Sequence, residues 1–309
     1  MNRIPIAFAF DNNLVLPACV CISSLLQHAA SDTFYDIYIL HAKSTCLRKE
    51  ELEKIPVYYN NCRLQYREVG PVFDDAFEIR GITTPAYYRL LIPDLIPEYD
   101  KVIYSDVDVI FRSDLSLLYA EDLGQSYIAA TYDLGLCLSK DGNEYLNSIE
   151  GLYEGDYIQS GFIVINSKQI RAHGVVKMFV QAAQKKLRYQ DQDILNMVCR
   201  GKIKILPYMY NMTDQLFYYM EMEPKMIVGK YNNADQELAR EKGTLHFNGA
   251  KPWKRYCVNF DIWWEYYRKS PFYDSRSYFD FFYQKIDEYD RLPLLKRIKI
   301  LLRYFLYKK

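Results

Sequence analysis

Residues 101–109 restrict what this chain can fold into more than any other stretch, because they form a β-branched, mostly apolar run that contains two carboxylates. Asp106 and Asp108 lie two residues apart, and in an extended backbone that spacing points both side chains the same way. Paired carboxylates are the hard oxygen ligands that Mn²⁺ and Mg²⁺ prefer. The run therefore predicts a buried strand that ends in a metal site able to neutralise a diphosphate, which makes a nucleotide-sugar enzyme the leading hypothesis.

The spacing alone is a weak signal, because Asp191 and Asp193 form a second pair of the same kind. The first pair differs in following an apolar strand, and ligands of α/β proteins collect where the carboxyl ends of strands meet. The alternative interpretation, a solvated turn after a strand, stays open on these residues alone.

The charge of the chain is unevenly distributed. The net charge is zero, yet residues 291–309 hold seven basic side chains and no acidic one, which leaves 32 basic against 39 acidic residues in 1–290. An acidic body argues against nucleic acid as a partner of the main domain. The basic end indicates an appendage that meets something anionic.

Seven cysteines without Cys-x-x-Cys spacing lie mostly among apolar neighbours. This pattern favours reduced thiols in a cytoplasmic protein. The apolar run at residues 4–10 is too short for a signal peptide or a membrane span, and it is more typical of a first strand.

Strand and helix patterns alternate along the first third of the chain. Strands are predicted at residues 4–10, 35–40 and 62–69, with helices at 17–29 and 44–58 between them. Further strands are predicted at 126–131, 161–166, 203–206 and 244–247, and further helices around 168–185 and 192–200. This order is typical of an α/β domain with a mostly parallel sheet.

The last stretch, residues 292–309, predicts a basic amphipathic helix. The side chains on its apolar face are Leu294, Leu295, Ile298, Leu301, Leu302 and Phe305, and those on its basic face are Lys296, Lys299 and Arg303. Such a helix suits the surface of an anionic membrane. The alternative is a helix that packs its apolar face on the body of the protein.

His246 is one of only four histidines, and it begins the segment HFNGAKPW at residues 246–253. An imidazole could supply a third protein ligand to a metal held by Asp106 and Asp108. Gly249 would let the backbone approach a phosphate, and Lys251 would bring it a positive charge.

Five segments of the chain together resemble those of glycosyltransferase family 8, the retaining group that includes bacterial lipopolysaccharide galactosyl- and glucosyltransferases and glycogenin. They are FAFDNN at 8–13, TPAYYRL at 84–90, YSDVD at 104–108, YQDQDILN at 189–196 and HFNGAKPW at 246–253. They occur in the family's order and cover residues 4–253. The combination is far more specific than any single motif.

The resemblance implies a GT-A fold, which is a Rossmann-like α/β fold of nucleotide-diphospho-sugar transferases with a mostly parallel sheet. We expect a catalytic domain over residues 1–253 and an aromatic, basic helical appendage over 254–309. The implied reaction is a retaining transfer of a hexose from UDP-glucose or UDP-galactose to a glycan hydroxyl, with Mn²⁺ or Mg²⁺ as cofactor. The expected acceptor is a lipopolysaccharide or another surface polysaccharide precursor at the cytoplasmic face of a bacterial membrane.

The resemblance also assigns roles to individual residues. The implied metal ligands are Asp106, Asp108 and His246. The positions implied to bind the donor and its diphosphate are Ala9, Asp11, Asn13, Arg89, Asp106, Val107, Asp108, Asp133, Gln159, His246, Gly249 and Lys251. The positions implied to act at the reacting sugar are Arg89, Asp191, Gln192 and Asp193.

Within that last group, Asp191 would bind sugar hydroxyls, and Gln192 would lie against the face of the anomeric carbon opposite the leaving UDP. Asp133 matches a position that lines the acceptor side. An amide such as Gln192 is a poor nucleophile, so we favour front-side attack over a double displacement. Asp193 is the less favoured nucleophile of the second route.

Three features depart from the family pattern. Gln159 stands in a segment where the family commonly has Asn-Ala/Ser-Gly, so its contact with the sugar is expected to differ and the donor hexose stays open. Leu14 replaces an aromatic residue that some members place over uracil. The spacing from His246 to Lys251 is one residue shorter than usual, which weakens the assignment of Lys251 as a phosphate ligand.

Two other functional classes are considered. A sugar nucleotidyltransferase should have a Gly-rich phosphate loop after its first strand, whereas residues 11–14 here read DNNL. The other class is a UDP-sugar-binding protein without catalysis. The presence of Asp106, Asp108, His246 and Gln192 argues against it, and a hydrolysis assay would decide.

Overall fold

The computed structural model describes residues 2–44, 46–79, 83–153, 155–228, 230–231 and 236–306. The strands in these ranges are β1 (Asn2–Ala9), β2 (Thr33–Ala42), β3 (Cys62–Val69), β4 (Val102–Ser105), β5 (Val109–Ile110), β6 (Ile128–Tyr132), β7 (Ile158–Ile165), β8 (Ile203–Ile205), β9 (Met212–Thr213) and β10 (Leu245–His246). In the described part of the chain, they form a seven-stranded sheet with the order β3-β2-β1-β4-β7-β6-β8 and a small sheet with the order β5-β10-β9.

The α-helices follow in chain order. They are α1 (Val15–Gln27), α2 (Ile55–Tyr58), α3 (Ile92–Leu95), α4 (Ser116–Ala120), α5 (Leu134–Leu138), α6 (Lys140–Ser148), α7 (Ser167–Ala172), α8 (Val175–Ala182), α9 (Gln190–Val198), α10 (Asp214–Met222), α11 (Pro224–Val228), α12 (Gln236–Lys242), α13 (Phe260–Lys269), α14 (Ser275–Asp290) and α15 (Leu294–Leu306). Short 3₁₀ segments are Asn12–Leu14, Leu52–Lys54, Pro71–Phe73, Thr84–Leu91 and Tyr208–Tyr210.

The large sheet is mostly parallel, as the sequence predicts. β7 runs antiparallel to both of its neighbours, β4 and β6, and the other pairings of this sheet are parallel. Both faces of the sheet are covered. Ile6 and Phe8 of β1 pack in one hydrophobic cluster with α1, and Ala7 and Ala9 pack in a second cluster on the other face. A strand buried on both faces explains the continuous apolar run at this position.

The predicted helix over residues 44–58 is wrong for most of its length. In the part that the structure describes, only Leu52–Lys54 and the four-residue α2 are helical. Pro56, in the first turn of α2, lacks the backbone N–H that a longer helix would need there. Upstream, the Asn12 side chain, in the loop after β1, forms hydrogen bonds with the carbonyl of Cys46 and the N–H of Arg48. These backbone groups are then not available for the hydrogen bonds of a helix. Residue 45 lies outside the described residues.

The predicted helix around residues 168–185 is present as two helices. Gly174 separates α7 from α8 with a φ of 63°, a left-handed conformation that glycine adopts without steric cost. The predicted strand at 244–247 corresponds to β10, which belongs to the small sheet rather than the large one.

Helix α13 packs into the core beneath the small sheet. Trp263 and Trp264 are 1% and 5% exposed and share a hydrophobic cluster with Ile110, Leu245 and Phe247. The domain boundary at residue 253 that the sequence predicts therefore lies within one continuous hydrophobic cluster, which has members on both sides of it. Among the helices of the described residues, none has both the length and the apolarity required to cross a bilayer.

Substituting Trp263 tests whether α13 is integral to the catalytic core. Trp263→Ala should lower the free energy of unfolding by about 3–5 kcal/mol, because it removes a large buried ring and leaves a cavity. Tyr283→Ala, at a ring that is 68% exposed on α14, is the matched control and should change stability by less than about 0.5 kcal/mol. Urea denaturation followed by circular dichroism measures both, and equal effects of the two substitutions would contradict the packing described here.

Candidate active site

A cleft of about 680 Å³ opens where β1 and β4 end. Ala9 and Asp11 line it from the end of β1, and Asp106, Val107 and Asp108 line it from the end of β4. The position matches the general rule that α/β sheets bind ligands beyond the carboxyl ends of their strands.

Asp106 and Asp108 lie at the junction between the two sheets. β4 of the large sheet ends at Ser105, and β5 of the small sheet begins at Val109. The chain bends across this gap, so the prediction of an extended backbone between the two carboxylates is wrong. It bends because it has to leave one sheet and enter the other within three residues.

His246 reaches the two carboxylates through the small sheet. β5 and β10 pair antiparallel with Val109 opposite His246, and the N–H of Phe247 donates to the carbonyl of Asp108 at 2.9 Å. His246 Nε2 lies 3.3 Å from Asp108 Oδ1 and 3.8 Å from Asp106 Oδ2. One ligand atom from each of the three residues fits within 4.8 Å of the others. They form a group that could hold a divalent metal ion, as the sequence predicts.

Gly161 makes room for this group. A methyl group at Gly161 would lie 2.4 Å from His246 Cε1 and 2.5 Å from Asp106 Oδ2. The carbonyl of Gly161 accepts the backbone N–H of Asp106 at 2.7 Å. The residues present therefore fit a metal ion, with two carboxylates and an imidazole as donors around a space that any larger side chain would fill.

Lys251 contacts the second carboxylate of the group. Its Nζ bonds Asp108 Oδ2 and also donates to the carbonyl of Phe247 at 2.7 Å. Burial by itself would raise the pKa of Asp108, but the charges of Lys251 and His246 and their hydrogen bonds hold that pKa well below its ordinary value. Asp108 is therefore ionised, which is the state that a metal ligand requires.

Arg89 links the first carboxylate of the group to the second half of the cleft. The guanidinium is 5% exposed and lies 2.9 Å from Asp106 Oδ1 and 3.2 Å from Asp191 Oδ2. Burial would lower the pKa of Arg89, but the charges of Asp106 and Asp191 hold it above its ordinary value. Burial raises the pKa of Asp191 to about 6, a shift that Arg89 opposes and Asp106 reinforces.

Gln192 connects three elements at the floor of the cleft. Its Oε1 accepts the backbone N–H of Ser160 at 3.0 Å, and its Nε2 donates to Asp133 Oδ2 at 3.0 Å. Asp133 also caps α5 by accepting the N–H of Leu136, and burial raises its pKa. The structure thus brings Gln192, Asp191, Asp133 and Arg89 to the same cleft as the metal group.

Asp193 does not line the cleft. Its carboxylate accepts hydrogen bonds from the hydroxyls of Tyr145 and Tyr157, each at 2.6 Å, and from the N–H of Tyr189 at 2.8 Å. It is 0% exposed. This position does not suit a nucleophile, and it does suit a residue that fixes the start of α9.

The remaining candidate site residues from the sequence either line the cleft or lie outside it. Those that line the cleft are Ala9, Asp11, Val107, Gln159, Gly249 and Lys251. Asn13 is not among the lining residues. Its side chain is exposed, and its N–H donates to Asp11 Oδ1 at 2.8 Å.

Sequence reasoning missed Asn211 and Asp214 on either side of β9. Asn211 bonds His246, and Asp214 lies under Gly249, where a methyl group would come within 2.6 Å of its Oδ2. Burial raises the pKa of Asp214, opposed by His246 and Lys251. A strand of only two residues leaves no periodic pattern in a sequence, so nothing marked these positions.

The model of the family described as glycosyl transferase family 8 matches residues 5–257 of this chain. The chain belongs to that family. It is therefore a glycosyltransferase, and the family predicted from the five sequence segments is confirmed.

Individual relatives agree with this assignment. A putative glycosyltransferase of Haemophilus influenzae is 26% identical over 216 residues, which cover 67% of this chain and 63% of that protein, less than two thirds of its length. The lipopolysaccharide 1,2-glucosyltransferase of Escherichia coli is 25% identical over 262 residues, which cover 80% of this chain and 72% of that protein.

Solved structures identify the fold. The galactosyltransferase LgtC, in complex with donor and acceptor sugar analogues, superposes with a TM-score of 0.69 at 26% identity, covering 88% of this chain and 98% of LgtC. The bifunctional glycosyltransferase WbbM gives a TM-score of 0.68 at 26% identity, covering 87% of this chain and 50% of WbbM. The predicted GT-A fold is thereby confirmed.

Gly161 provides a test of the metal group in which none of the three candidate ligands is itself substituted. Gly161→Ala should weaken Mn²⁺ binding roughly tenfold or more, because its methyl group would displace His246 or Asp106. Isothermal titration calorimetry of the purified protein measures the effect. Gly70→Ala is the matched control, since no atom lies within 4 Å of the position that its methyl group would take. Unchanged Mn²⁺ affinity in Gly161→Ala would rule out these three residues as the site.

Proposed function

We propose that this chain transfers glucose or galactose from a UDP-sugar to a hydroxyl of a lipopolysaccharide or another cell-surface glycan precursor, with retention of the anomeric configuration. The observation that carries the proposal is the convergence of Asp106, Asp108 and His246 on the cleft of a family 8 chain. Relatives described as lipopolysaccharide glucosyl- and galactosyltransferases support the choice of acceptor.

Mn²⁺ or Mg²⁺ would be held by Asp106, Asp108 and His246. When bound, the ion would offset the charge of the diphosphate as UDP departs. Lys251 would leave Asp108 for the phosphates, and Gly249 would allow the backbone to approach them. Asp11 and Ala9 would contact the uridine end, because they line the cleft at the end of β1.

Gln192, Asp191 and Arg89 would position the transferred sugar. Asp191 would accept hydrogen bonds from sugar hydroxyls, and Arg89 would keep the carboxylate of Asp191 charged. The side chain of Gln192 would lie against the anomeric carbon, oriented by the N–H of Ser160 and by Asp133. An amide whose oxygen and nitrogen both form hydrogen bonds to the protein is suited to positioning rather than to nucleophilic attack.

The transfer would proceed by front-side attack. The acceptor oxygen forms a bond to the anomeric carbon while the bond from that carbon to the β-phosphate oxygen breaks, and the acceptor proton passes to the departing phosphate. The position of Asp193 supports this route over a double displacement, since three donors occupy its carboxylate away from the cleft. Asp133, which accepts a hydrogen bond from Gln192 Nε2, would lie on the acceptor side and orient the incoming hydroxyl.

We further propose that residues 273–309 hold the enzyme against the cytoplasmic face of a bacterial membrane. Apolar side chains of α15 are 43–82% exposed at Leu294, Leu295, Ile298, Leu301 and Leu302, so in the described part of the chain they do not pack on the body. On α14, Phe279, Tyr283 and Ile286 are 53–68% exposed and share one face. The basic excess lies in residues 291–309, which hold seven basic side chains and no acidic one, and it matches an anionic lipid surface.

Nuclear magnetic resonance of the reaction tests the proposed activity. The purified protein is incubated with Mg²⁺, trace Mn²⁺ and a panel of UDP-sugars, and the anomer of the released sugar is followed. We expect slow, metal-dependent release of the α-anomer from UDP-glucose or UDP-galactose. In Asp108→Ala the rate should fall at least about a hundredfold, because a metal ligand is lost.

The outcomes separate the competing functions. First release of the β-anomer would contradict retention, and failure to bind UDP would contradict the proposal as a whole. Tight UDP binding without turnover would favour an enzyme that is strictly dependent on its acceptor or a binding protein that lacks catalysis.

Vesicle flotation tests the membrane proposal. The full-length protein should float with vesicles that contain anionic phosphatidylglycerol and not with vesicles of phosphatidylcholine alone. Replacing Leu295 and Leu302 with Ser should weaken vesicle binding by about a hundredfold or more, because each buried leucine contributes about 1.5–3 kcal/mol. Val57→Ser, at a side chain 80% exposed on α2, is the control. Equal flotation of all variants, or binding to both kinds of vesicle, would contradict the proposal.

A further inference from the structure

Asn211 is buried beside the metal group, where it is 2% exposed directly before β9. We infer that Asn211 is a positioning residue that holds the imidazole of His246 in one tautomer, with the proton on Nδ1 and a lone pair on Nε2 aimed at the metal site. The consequence for metal binding rests on the proposed function, whereas the hydrogen-bond geometry does not.

The series of hydrogen bonds begins at a group that can act only as a donor. The backbone N–H of Gly161 can only donate, and it lies 2.6 Å from one end of the Gln159 amide. That end must therefore be the oxygen, Oε1. The orientation of the Gln159 side chain is set by the backbone of β7.

The same oxygen sets the orientation of Asn211. Gln159 Oε1 lies 2.9 Å from Nδ2 of Asn211, and an oxygen placed there instead would face another oxygen without a proton between them. Asn211 must therefore present its NH₂ group to Gln159. Its remaining atom, Oδ1, faces His246.

This arrangement fixes the state of one imidazole nitrogen, Nδ1. Asn211 Oδ1 can only accept, and it lies 2.8 Å from His246 Nδ1, so Nδ1 carries the proton. Nε2 is the atom that lies 3.3 Å from Asp108 Oδ1 and 3.8 Å from Asp106 Oδ2, so with the proton fixed on Nδ1 it is Nε2 that would give its lone pair to a metal ion held among the three residues. With the opposite tautomer, an N–H would point at those carboxylates and occupy the position of the metal.

Gly161 thereby aligns two of the proposed ligands at once. Its carbonyl accepts the N–H of Asp106 at 2.7 Å, and its own N–H starts the relay through Gln159 and Asn211 to His246. Partners behind a ligating histidine commonly set its tautomer and tune its affinity for the metal. The relay does this with neutral groups and adds no charge to the site.

Thr131 offers a matched control. Its Oγ1 lies 3.2 Å from the same Nδ2 of Asn211, but a hydroxyl can donate or accept. It therefore does not select the orientation of the amide. Thr131→Val keeps the volume of the side chain and removes only this contact.

The test reads the tautomer in the metal-free, full-length protein. Histidine is labelled with ¹⁵N, long-range ¹H–¹⁵N correlation spectra are recorded, and His246→Gln assigns the signals. We expect a protonated Nδ1 in the native protein and in Thr131→Val. Asn211→Leu, which lacks the acceptor, should move the proton largely to Nε2 and weaken Mn²⁺ binding roughly tenfold to a hundredfold.

A second variant covers the case in which Asn211→Leu does not fold. Gln159→Met removes the oxygen that orients Asn211 and leaves Asn211 in place, so a mixture of both tautomers is expected. A native His246 that carries a proton on Nε2 and none on Nδ1, or a protonated Nδ1 in every folded variant, would overturn the inference. If the native tautomer is as inferred but the protein binds no Mn²⁺, the role of Asn211 holds and the proposed metal site fails.

Discussion

The pairing of β5 with β10 is the interaction on which the rest of the site depends. It places His246 opposite Val109 and thereby next to two carboxylates that are remote in sequence. Strands of two residues contribute few hydrogen bonds, so the pairing depends on the hydrophobic cluster that contains Ile110, Leu245 and Trp263. The aromatic helix α13 is thus part of what holds the chemistry together, although it lies beyond the last of the five sequence motifs.

The second constraint is electrostatic, because the cleft gathers several carboxylates in a small, poorly solvated volume. The structure balances them locally. Arg89 lies between Asp106 and Asp191, and Lys251 bonds Asp108. Such pairs offset the cost of burying like charges. A metal ion and a diphosphate would therefore replace existing ion pairs of these side chains, and they would not enter a site of uncompensated negative charge.

Much of the architecture could be predicted because its signals are local. The apolar run of β1 and the DNN loop that follows it predict a buried strand and a turn without reference to distant parts of the chain. The predicted helix over residues 44–58 failed because Asn12, distant in sequence, holds the backbone of Cys46 and Arg48 in a non-helical form. The relay from Gly161 through Gln159 and Asn211 to His246 could not be predicted, since its members come from segments without any shared pattern.

The sequence by itself determined which side chains are available: two Asp-x-Asp pairs, a histidine followed by Gly and Lys, and a basic amphipathic end. Only the tertiary structure decided which carboxylates meet. Asp106 and Asp108 bridge two sheets and converge with His246, whereas Asp191 and Asp193 lie on α9, and only Asp191 faces the cleft. The reason is geometric, because residues two apart on a helix point roughly 200° away from each other. One spacing therefore gives a pair that could hold a metal ion in the first case and, in the second, one cleft residue and one buried anchor.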